Sequence, residues 1–428
     1  MNRLRGFITE KKASFSSPIK DKDEQNINEY QSAEFGIDRS NQGSSFAAFF
    51  NIVCVVAGTG ALGLPYALAL GGWIDTALIL VRSMYYDGQK RLGSYQEIAE
   101  EAFGKIGGWL SFFFTSIILV GVPVLYLLLS GQNLHTVAQG TSAELTFPIW
   151  TIICTAICAA PYLFFRNLKE ISLLGIFGML STVVVILIVL GVAVQEAPDH
   201  VGVHHDNVIW NMFPIALSSI SFSFGGNPVY PHIEGSMRNR HHWFWTITAS
   251  LSFCLLIYFL AAVPGYYVYG VAAKSPIYDS LSNTYKAPKF ASIIIITIHL
   301  ILTTPILLTS FSIDVEKMLK INPEHRSFFV EWGLRFLLRG CLIVAICVIA
   351  VFVPFFGDFM SLLGAFANCA VVFLLPVIFY YKLTGIRGKA WWDYVLAVLT
   401  ILIGVVGLIF GTISSIEALN RDFHSQKS

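Results

Sequence analysis

Long apolar runs separated by short polar segments are the main pattern of this chain. The first run, Phe46 to Trp73, carries no charge over 28 residues and would extend roughly 42 Å as a helix, more than the ~30 Å hydrocarbon core of a bilayer. The runs lie at about 46–72, 73–86, 109–130, 147–165, 171–194, 208–230, 244–268, 290–313, 334–353, 358–381 and 391–416. The pattern predicts an all-α polytopic membrane protein with about eleven transmembrane helices.

The two ends of the chain are polar. Residues 1–45 mix both charges and hold few large apolar side chains, which predicts a disordered cytosolic tail. The transmembrane part is expected to cover 46–416, followed by a short C-terminal tail at 417–428.

Composition supports a membrane protein and excludes several other classes. Apolar residues make up 55% of the chain and charged residues 13%, against about 25% charge in ordinary globular domains. The net charge of +1 gives no electrostatic support for nucleic-acid binding. The seven cysteines lie in apolar runs without the His or carboxylate partners of a metal site. No hydrolase or metalloprotease motif is present, so we expect neither an enzyme nor a cofactor.

Lysine and arginine positions predict the orientation. With a cytosolic N-terminus, sixteen of the twenty-one basic residues beyond the tail fall on or near cytosolic segments. The second run is short for a transmembrane helix, because its 14 residues would extend only roughly 21 Å.

Two of the predicted spans are interrupted. The first contains Gly58, Thr59 and Gly60 in its middle, and the sixth contains Gly225-Gly226-Asn227-Pro228. Membrane helices accept such breaks where the freed backbone groups line a cavity or hold a ligand, although a kinked and closely packed helix is the alternative for either break alone. Interrupted helices in corresponding positions predict an inverted-repeat transporter, here with repeat one at 46–194, repeat two at 208–381 and an extra helix at 391–416.

The chemistry of the two breaks favours an amino acid zwitterion as the ligand. A half-helix that begins near Ala61 directs free N–H groups at a carboxylate, and half-helices that end near Ala57 and Phe222 present free C=O groups to an ammonium. The candidate substrate-binding residues are Ala57, Gly58, Thr59, Gly60, Ser221, Phe222, Ser223, Phe224 and Gly225. For the two phenylalanines, ordinary bundle packing is the alternative to a pocket.

A second group of polar residues is a candidate for ion coupling or gating. His299 is the one titratable side chain deep in an apolar run, and intramembrane ionisable groups are functional candidates by default. The others are Asn51, Glu234, Thr303 and Thr304. The alternatives are a neutral histidine bonded to a neighbouring helix, hydroxyls bonded to their own backbone, and a solvated loop carboxylate.

Several segments resemble the amino acid/auxin permease family. They are GTGALGLPYALALGGW (58–73), YYDGQKRLGSYQEIAEEAFG (85–104), FPIALSSISFSFGGNPVYPHIEGSM (213–237), TTPILLTSFSIDVE (303–316) and SLLGAFANC (361–369). The chain is most similar to fungal and other eukaryotic vacuolar-type members. The resemblance implies eleven helices with a LeuT-like five-plus-five inverted repeat, amino acid substrates, and coupling to a proton or, in some branches, a sodium gradient.

Two departures from the family pattern change the expectations. The second helix is about fifteen residues short, which predicts a chain with impaired transport as one alternative. Cys54 stands where many members carry an asparagine that helps to hold sodium in sodium-coupled relatives. A thiol is a poor sodium ligand, so proton coupling is favoured over sodium.

The sequence therefore predicts a proton-coupled secondary transporter of neutral amino acids, working by alternating access. Neutral substrates are favoured because no charged side chain falls in the predicted pocket. An amino acid sensor with the same pocket is the alternative from another class. A vacuolar or lysosome-like membrane is favoured, with the plasma membrane as the alternative, and the oligomeric state is not indicated.

Overall fold

The computed structural model describes residues 39, 42–57, 72–86, 91–165, 168–200, 203, 213–270, 273–321, 327–352 and 355–425. The chain divides into two compact units, Met1–Gln42 and Gly43–Ser428, and the second unit carries every helix described below. Residues 1–38 and 40–41 of the predicted tail (1–45), the predicted site residues Gly58, Thr59 and Gly60, and the start of the half-helix expected near Ala61 lie outside the described residues.

The first three helices begin the transmembrane part. They are α1 (Ser45–Val56), α2 (Gly72–Ser83) and α3 (Tyr95–Ala138). The Ser44 hydroxyl caps α1 by accepting the N–H of Ala47 at 3.2 Å. Helix α3 starts earlier than the predicted span because an amphipathic segment precedes Gly104, whose φ of 69° breaks the helical geometry.

The remaining helices follow the predicted order. They are α4 (Phe147–Phe164), α5 (Leu168–Glu196), α6 (Phe213–Ser223), α7 (Tyr230–Gly235), α8 (Trp243–Tyr269), α9 (Lys286–Met318), α10 (Phe328–Phe352), α11 (Phe356–Thr384), α12 (Trp391–Val406) and α13 (Thr412–Ser425). Helix α11 contains two π-helical turns, Gly364–Asn368 and Ala370–Leu374, and a third π-helical turn, Gly407–Gly411, joins α12 to α13.

Length and composition separate the helices into two groups. Among the described residues, eight helical segments are long and apolar enough to cross a membrane, when α12, the π-helical turn Gly407–Gly411 and the start of α13 are counted as one segment, whereas α1 and α6 are short apolar helices. Helix α2 has 12 residues and extends roughly 18 Å. Every one of the eleven predicted spans overlaps a described helix, and the number of crossings and the repeat boundaries stay predictions.

The core brings α1 and α6 against long partners. Helix α9 packs along α3 and α5, and α1 packs against α5 and α8. Helix α6 lies against the first π-helical turn of α11, where a Cβ on Gly364 would collide with the carbonyl oxygen of Ser218. Glycine at this position therefore allows the two backbones to approach each other closely.

Candidate functional site

The helix that carries the second predicted break ends where the sequence indicates. Helix α6 ends at Ser223 and α7 begins at Tyr230. Between them the N–H of Gly225 donates to Phe222 O at 3.1 Å, and the N–H of Gly226 donates to Phe224 O at 2.8 Å. The predicted interruption of the sixth span is confirmed.

The end of α1 lies beside this break. Ala57 follows the last helical residue, Val56, and its N–H donates to Val53 O at 2.7 Å. The hydroxyl of Tyr258 on α8 lies 2.5 Å from Val56 O and 2.6 Å from Ser223 O. One buried hydroxyl therefore contacts a carbonyl at the end of each interrupted helix.

The carbonyl groups at these ends differ from the expectation of free acceptors. Phe222 O accepts the Gly225 N–H, while Val56 O and Ser223 O lie within hydrogen-bond distance of the Tyr258 hydroxyl. Buried carbonyls at helix ends need hydrogen-bond donors where water is absent, and here other groups of the protein supply them. Each carbonyl retains a second lone pair, but none of these three is an unpartnered acceptor.

A small cavity borders both interrupted helices. Its volume of ≈ 20 Å³ leaves room for about one water molecule. Its lining residues come from α1, α3, the α6 break, α9 and α11, and they are Val55, Val56, Ile118, Val122, Tyr126, Phe222, Gly225, Leu307 and Asn368. Of the predicted site residues, the structure places Phe222 and Gly225 on this cavity.

The other predicted residues of the α6 break are buried around it. Ser221 is 0% exposed and Phe224 is 3% exposed, with the Phe224 ring packed edge-on against Tyr258 at 5.1 Å between centroids. The hydroxyl of Ser223 donates to Ser219 O at 2.7 Å, so it satisfies its own helix.

Asn368 is a lining residue that the sequence analysis missed. It lies in the first π-helical turn of α11, and its Nδ2 donates to the carbonyl oxygen of Ser221. Turns of this kind are frequent at functional sites, but an isolated asparagine in an apolar run gives no such signal beforehand.

His299 stands in a buried network that joins α1, α5 and α9. Its Nδ1 lies 2.8 Å from Gly178 O and 3.0 Å from the Thr182 hydroxyl. Its Nε2 lies 3.3 Å from the Thr303 hydroxyl, which lies 3.0 Å from the sulfur of Cys54. The structure therefore brings together two of the predicted coupling residues and adds Cys54 and Thr182.

The geometry of this network assigns the protons of the neutral imidazole. Gly178 O can only accept, so Nδ1 carries the N–H and Nε2 is the free base. The Thr303 hydroxyl can donate to His299 O, at 2.8 Å, or turn towards Nε2. The network can therefore hold either a neutral or a protonated imidazole by rotation of one hydroxyl.

Asn51 and Thr304 are buried nearby but do not join this network in the described contacts. Asn51 is 2% exposed, and its Oδ1 has no hydrogen-bond partner among the described residues. It faces Gly175 on α5, one turn before Gly178, which faces Cys54. The Thr304 hydroxyl donates to Leu300 O at 2.7 Å, the local bond that was its alternative role.

Glu234 on α7 forms a buried ion pair rather than a solvated charge. Arg91 donates through Nε to Glu234 Oε2 at 2.9 Å and through Nη2 to Pro231 O at 2.7 Å. The Tyr85 hydroxyl donates to the other carboxylate oxygen at 2.7 Å. Burial lowers the pKa of the Arg91 guanidinium, but the charge of Glu234 and its hydrogen bond raise this pKa to a net value above the usual one.

A second buried ion cluster joins α4, α9 and α10, and the sequence analysis did not identify it. Arg339 is 0% exposed and donates to Glu316 at 2.9 Å, to Tyr162 O at 2.9 Å and to Phe165 O at 2.5 Å. Glu316 also accepts from Arg335 at 3.1 Å. The spacing of Arg335 and Arg339 on one helix face is a signal that could have indicated a shared acidic partner.

Comparison with known proteins places the chain in a family. The model described as "Transmembrane amino acid transporter protein" matches residues 41–417. Amino acid transporter AVT1I of Arabidopsis thaliana is 28% identical over 395 residues, which cover 87% of this chain and 95% of that protein. The vesicular inhibitory amino acid transporter of Xenopus tropicalis is 27% identical over 425 residues, which cover 89% and 78%.

Solved structures share the fold at low sequence identity. The inward-facing conformation of Mhp1 is 13% identical with a TM-score of 0.50, covering 90% of this chain and 92% of that one. A Na⁺-coupled sialic acid symporter in a substrate-bound outward-open state is 10% identical with a TM-score of 0.52, covering 91% and 92%. These likenesses confirm the predicted LeuT-like, all-α membrane fold. The chain is an integral multi-pass membrane protein, is not an enzyme, and belongs to the transmembrane amino acid transporter family.

Proposed function

We propose that this chain is a secondary active transporter of neutral amino acids that is driven by a proton gradient and works by alternating access. The observation that carries the proposal is the position of the cavity, which borders the end of α1 at Val56 and the break of α6 at Phe222 and Gly225. The substrate's amino and carboxyl groups bind at residues 57–60 and 221–225, and its side chain lies among the apolar lining residues.

The lining of the cavity supports neutral substrates. Aliphatic and aromatic side chains dominate it, and no charged side chain is among the described residues that line it. A charged substrate side chain would have to be desolvated here without a counter-charge, which is strongly unfavourable. Relatives named as an amino acid transporter and as a vesicular inhibitory amino acid transporter support amino acids as the substrates.

The network around His299 supports proton coupling. Its Nε2 takes up the proton, because Nδ1 is held as a donor by Gly178 O. The described hydrogen-bond partners of the imidazole include no carboxylate, so a proton bound there remains uncompensated while the site is closed. Protonation is then favoured in a conformation that admits water, and this dependence links proton binding to the conformational change.

The thiol of Cys54 on α1 disfavours a sodium site between α1 and α9. The Cys54 sulfur lies 3.0 Å from the Thr303 hydroxyl, so a thiol stands between α1 and α9. Sodium is a hard cation that prefers oxygen ligands, and a thiol supplies none.

Two ends of the molecule differ in a way that suits alternating access. On the side proposed as cytosolic, three side-chain pairs hold neighbouring segments together. They are the buried pairs Arg91–Glu234 and Arg339–Glu316, and His232, whose Nε2 lies 3.2 Å from Asp314. Near the opposite ends of α3 and α11 lies a cavity of ≈ 590 Å³, lined among others by Asn133, Asp279 and Asp358. The small central cavity must widen before it holds an amino acid, so opening and closing accompany each cycle.

We place the transporter in an internal membrane with the N-terminus in the cytosol. A relative that is named as vesicular supports an internal membrane, and the lysine and arginine distribution supports the orientation. The vacuolar or lysosome-like membrane is the favoured location, and the plasma membrane is the alternative.

The decisive experiment is amino acid flux into proteoliposomes that contain the full chain. We expect accumulation of neutral amino acids under an imposed pH gradient and none under a sodium gradient alone. Uptake that requires sodium and ignores pH would contradict proton coupling, and the absence of any flux would contradict transport.

The short α2 favours one alternative specifically. Its described residues, Gly72–Ser83, extend roughly 18 Å, which is well below the thickness of the hydrocarbon core. The same flux assay should include a version with a full-length second helix inserted after Trp73. Flux only in the lengthened version identifies a transport-impaired chain, and binding without flux in both versions identifies a sensor.

A further inference from the structure

The side chain of Asn368 is buried against the end of α6. It is 1% exposed, and its Nδ2 donates to the carbonyl oxygen of Ser221, with the Ser221 hydroxyl 3.5 Å away. This bond satisfies a carbonyl near the C-terminal end of a helix, where intrahelical donors run out. One half of the amide is therefore occupied by a structural bond.

The other half of the amide has no described partner. Oδ1 of Asn368 is buried and accepts no hydrogen bond from any described residue. Exchange of the two amide atoms does not remove the difficulty, because Oδ1 would then face the Ser221 carbonyl, acceptor against acceptor. Buried acceptors in folded proteins almost always have a donor, so this oxygen calls for one.

The unpartnered oxygen lies at the cavity and beside the break. Asn368 lines the cavity together with Phe222 and Gly225. A Cβ added to Gly225 would lie 2.6 Å from Oδ1, so glycine at this position allows the amide to reach the backbone of the break. The π-helical turn that carries Asn368 displaces its side chain from regular helical spacing towards α6.

The chemistry of the cavity indicates which ligand group reaches this oxygen. A carboxylate has only acceptor atoms and would be repelled by Oδ1, whereas an ammonium has three donors. The helix-end carbonyls of Val56 and Ser223 already lie beside the Tyr258 hydroxyl. Unlike these two carbonyls, Oδ1 of Asn368 has no described donor and is available to the ammonium.

We propose that Oδ1 of Asn368 accepts a hydrogen bond from the ammonium of the bound amino acid and makes Asn368 a specificity-determining residue for the amino group. The inference rests on the proposed function and adds a binding residue from α11. The amide positions itself through Nδ2 on Ser221 and binds substrate through Oδ1, so each half has a separate role.

The test separates binding of the amino group from support of α6. The affinities of leucine and of 4-methylpentanoate, which is leucine without its amino group, are measured on the full chain in detergent. Alanine and propanoate form a second pair. In Asn368→Ala we expect the affinity for each amino acid to fall about 10- to 100-fold, while that for the deaminated acid changes less than about threefold.

Two further variants keep the proposal falsifiable. Asn368→Asp keeps an acceptor for the ammonium but places a second oxygen against Ser221 O, so both members of a pair should weaken through the loss of support for α6, while the preference for the amino acid over the deaminated acid should be no lower than in the wild type. Asn227→Ala is the matched control, because Asn227 is a buried amide that donates to Val371 O at 3.4 Å and does not line the cavity. It should weaken both members of a pair by the same factor.

The possible outcomes distinguish the inference from the proposed function. Equal weakening of both members of a pair by Asn368→Ala, or an Asp variant that loses the preference for the amino acid as the Ala variant does, overturns the inference and leaves transport standing. If the wild-type chain neither binds nor transports any amino acid, the proposed function fails, and the inference fails with it.

Discussion

The hydroxyl of Tyr258 lies 2.5 Å from the carbonyl oxygen of Val56, the last residue of α1. The same hydroxyl lies 2.6 Å from Ser223 O, the last residue of α6. The single proton of this hydroxyl is shared between the two carbonyl oxygens in a three-centre hydrogen bond. Tyr258 therefore connects the ends of both interrupted helices through one atom, and a relative movement of α1 and α6 must stretch or break this connection.

Replacement of Tyr258 by phenylalanine removes this connection and little else. We expect Tyr258→Phe to destabilise the protein by about 1–3 kcal/mol, because buried carbonyls lose their donor. Thermal unfolding in detergent measures the change. Tyr267→Phe is the matched control, since Tyr267 lies on the same helix and is 71% exposed. Equal melting temperatures for Tyr258→Phe and the wild type would show that the bond contributes nothing.

Close packing of α5 against α1 depends on Gly178. A Cβ at this position would lie 2.5 Å from the sulfur of Cys54, while its next neighbour, His299 Nδ1, is 3.4 Å away. We expect Gly178→Ala to destabilise the protein by about 1–3 kcal/mol through overpacking. Adding Cys54→Ala should recover most of this loss, because it removes the colliding atom.

A double-mutant cycle on thermal unfolding measures the interaction between these two positions. Gly191→Ala, on the same helix α5, is the control, because a Cβ there meets no heavy atom within 4 Å. If the loss in Gly178→Ala persists unchanged in the double variant, the collision with Cys54 is not its cause.

Hydropathy and glycine placement predicted the elements of this protein well. The apolar runs identify the helices, and Gly225-Gly226-Asn227-Pro228 identifies the break between α6 and α7, because both features are local in sequence. His299 stood out for a similar reason, as the one titratable group in its run.

The contacts that complete the site are not local, which is why the sequence did not indicate them. Asn368 bonds to a residue 147 positions earlier, and Tyr258 reaches across 202 positions to Val56. An asparagine or tyrosine in an apolar run has no pattern that names its partner. The free carbonyls that were expected near Phe222 proved to be satisfied by Gly225 and Tyr258 for the same reason.

The buried pair Arg91–Glu234 and the exposed pair Lys317–Glu97 permit a direct comparison. The two side chains of the first pair are 10% and 0% exposed, with Nη2 and Oε2 2.9 Å apart. Those of the second pair are 44% and 40% exposed at 3.8 Å. We expect Arg91→Gln to destabilise the protein by about 3–5 kcal/mol, because Glu234 is left buried without its cation.

The matched variant Lys317→Gln should cost about 1 kcal/mol or less, since solvent screens an exposed pair. Chemical denaturation in detergent compares the two variants. Glu234→Gln added to Arg91→Gln should recover part of the loss, because it removes the buried charge. Similar small effects for both single variants would contradict the importance of burial.

The network around His299 predicts how transport depends on pH. The amide side chain introduced by His299→Asn can place an N–H near Gly178 O, as Nδ1 does at 2.8 Å, but it cannot take up a proton. We therefore expect a folded variant whose amino acid exchange persists while its uptake no longer depends on pH. Uptake and exchange in proteoliposomes at a series of pH values measure both properties.

Thr182→Val is the control, because it removes a hydroxyl 3.0 Å from Nδ1 and leaves the imidazole able to titrate. A pH profile of His299→Asn that matches the wild type would assign the coupling proton to another group, and a loss of exchange together with pH dependence would indicate a structural role for the imidazole.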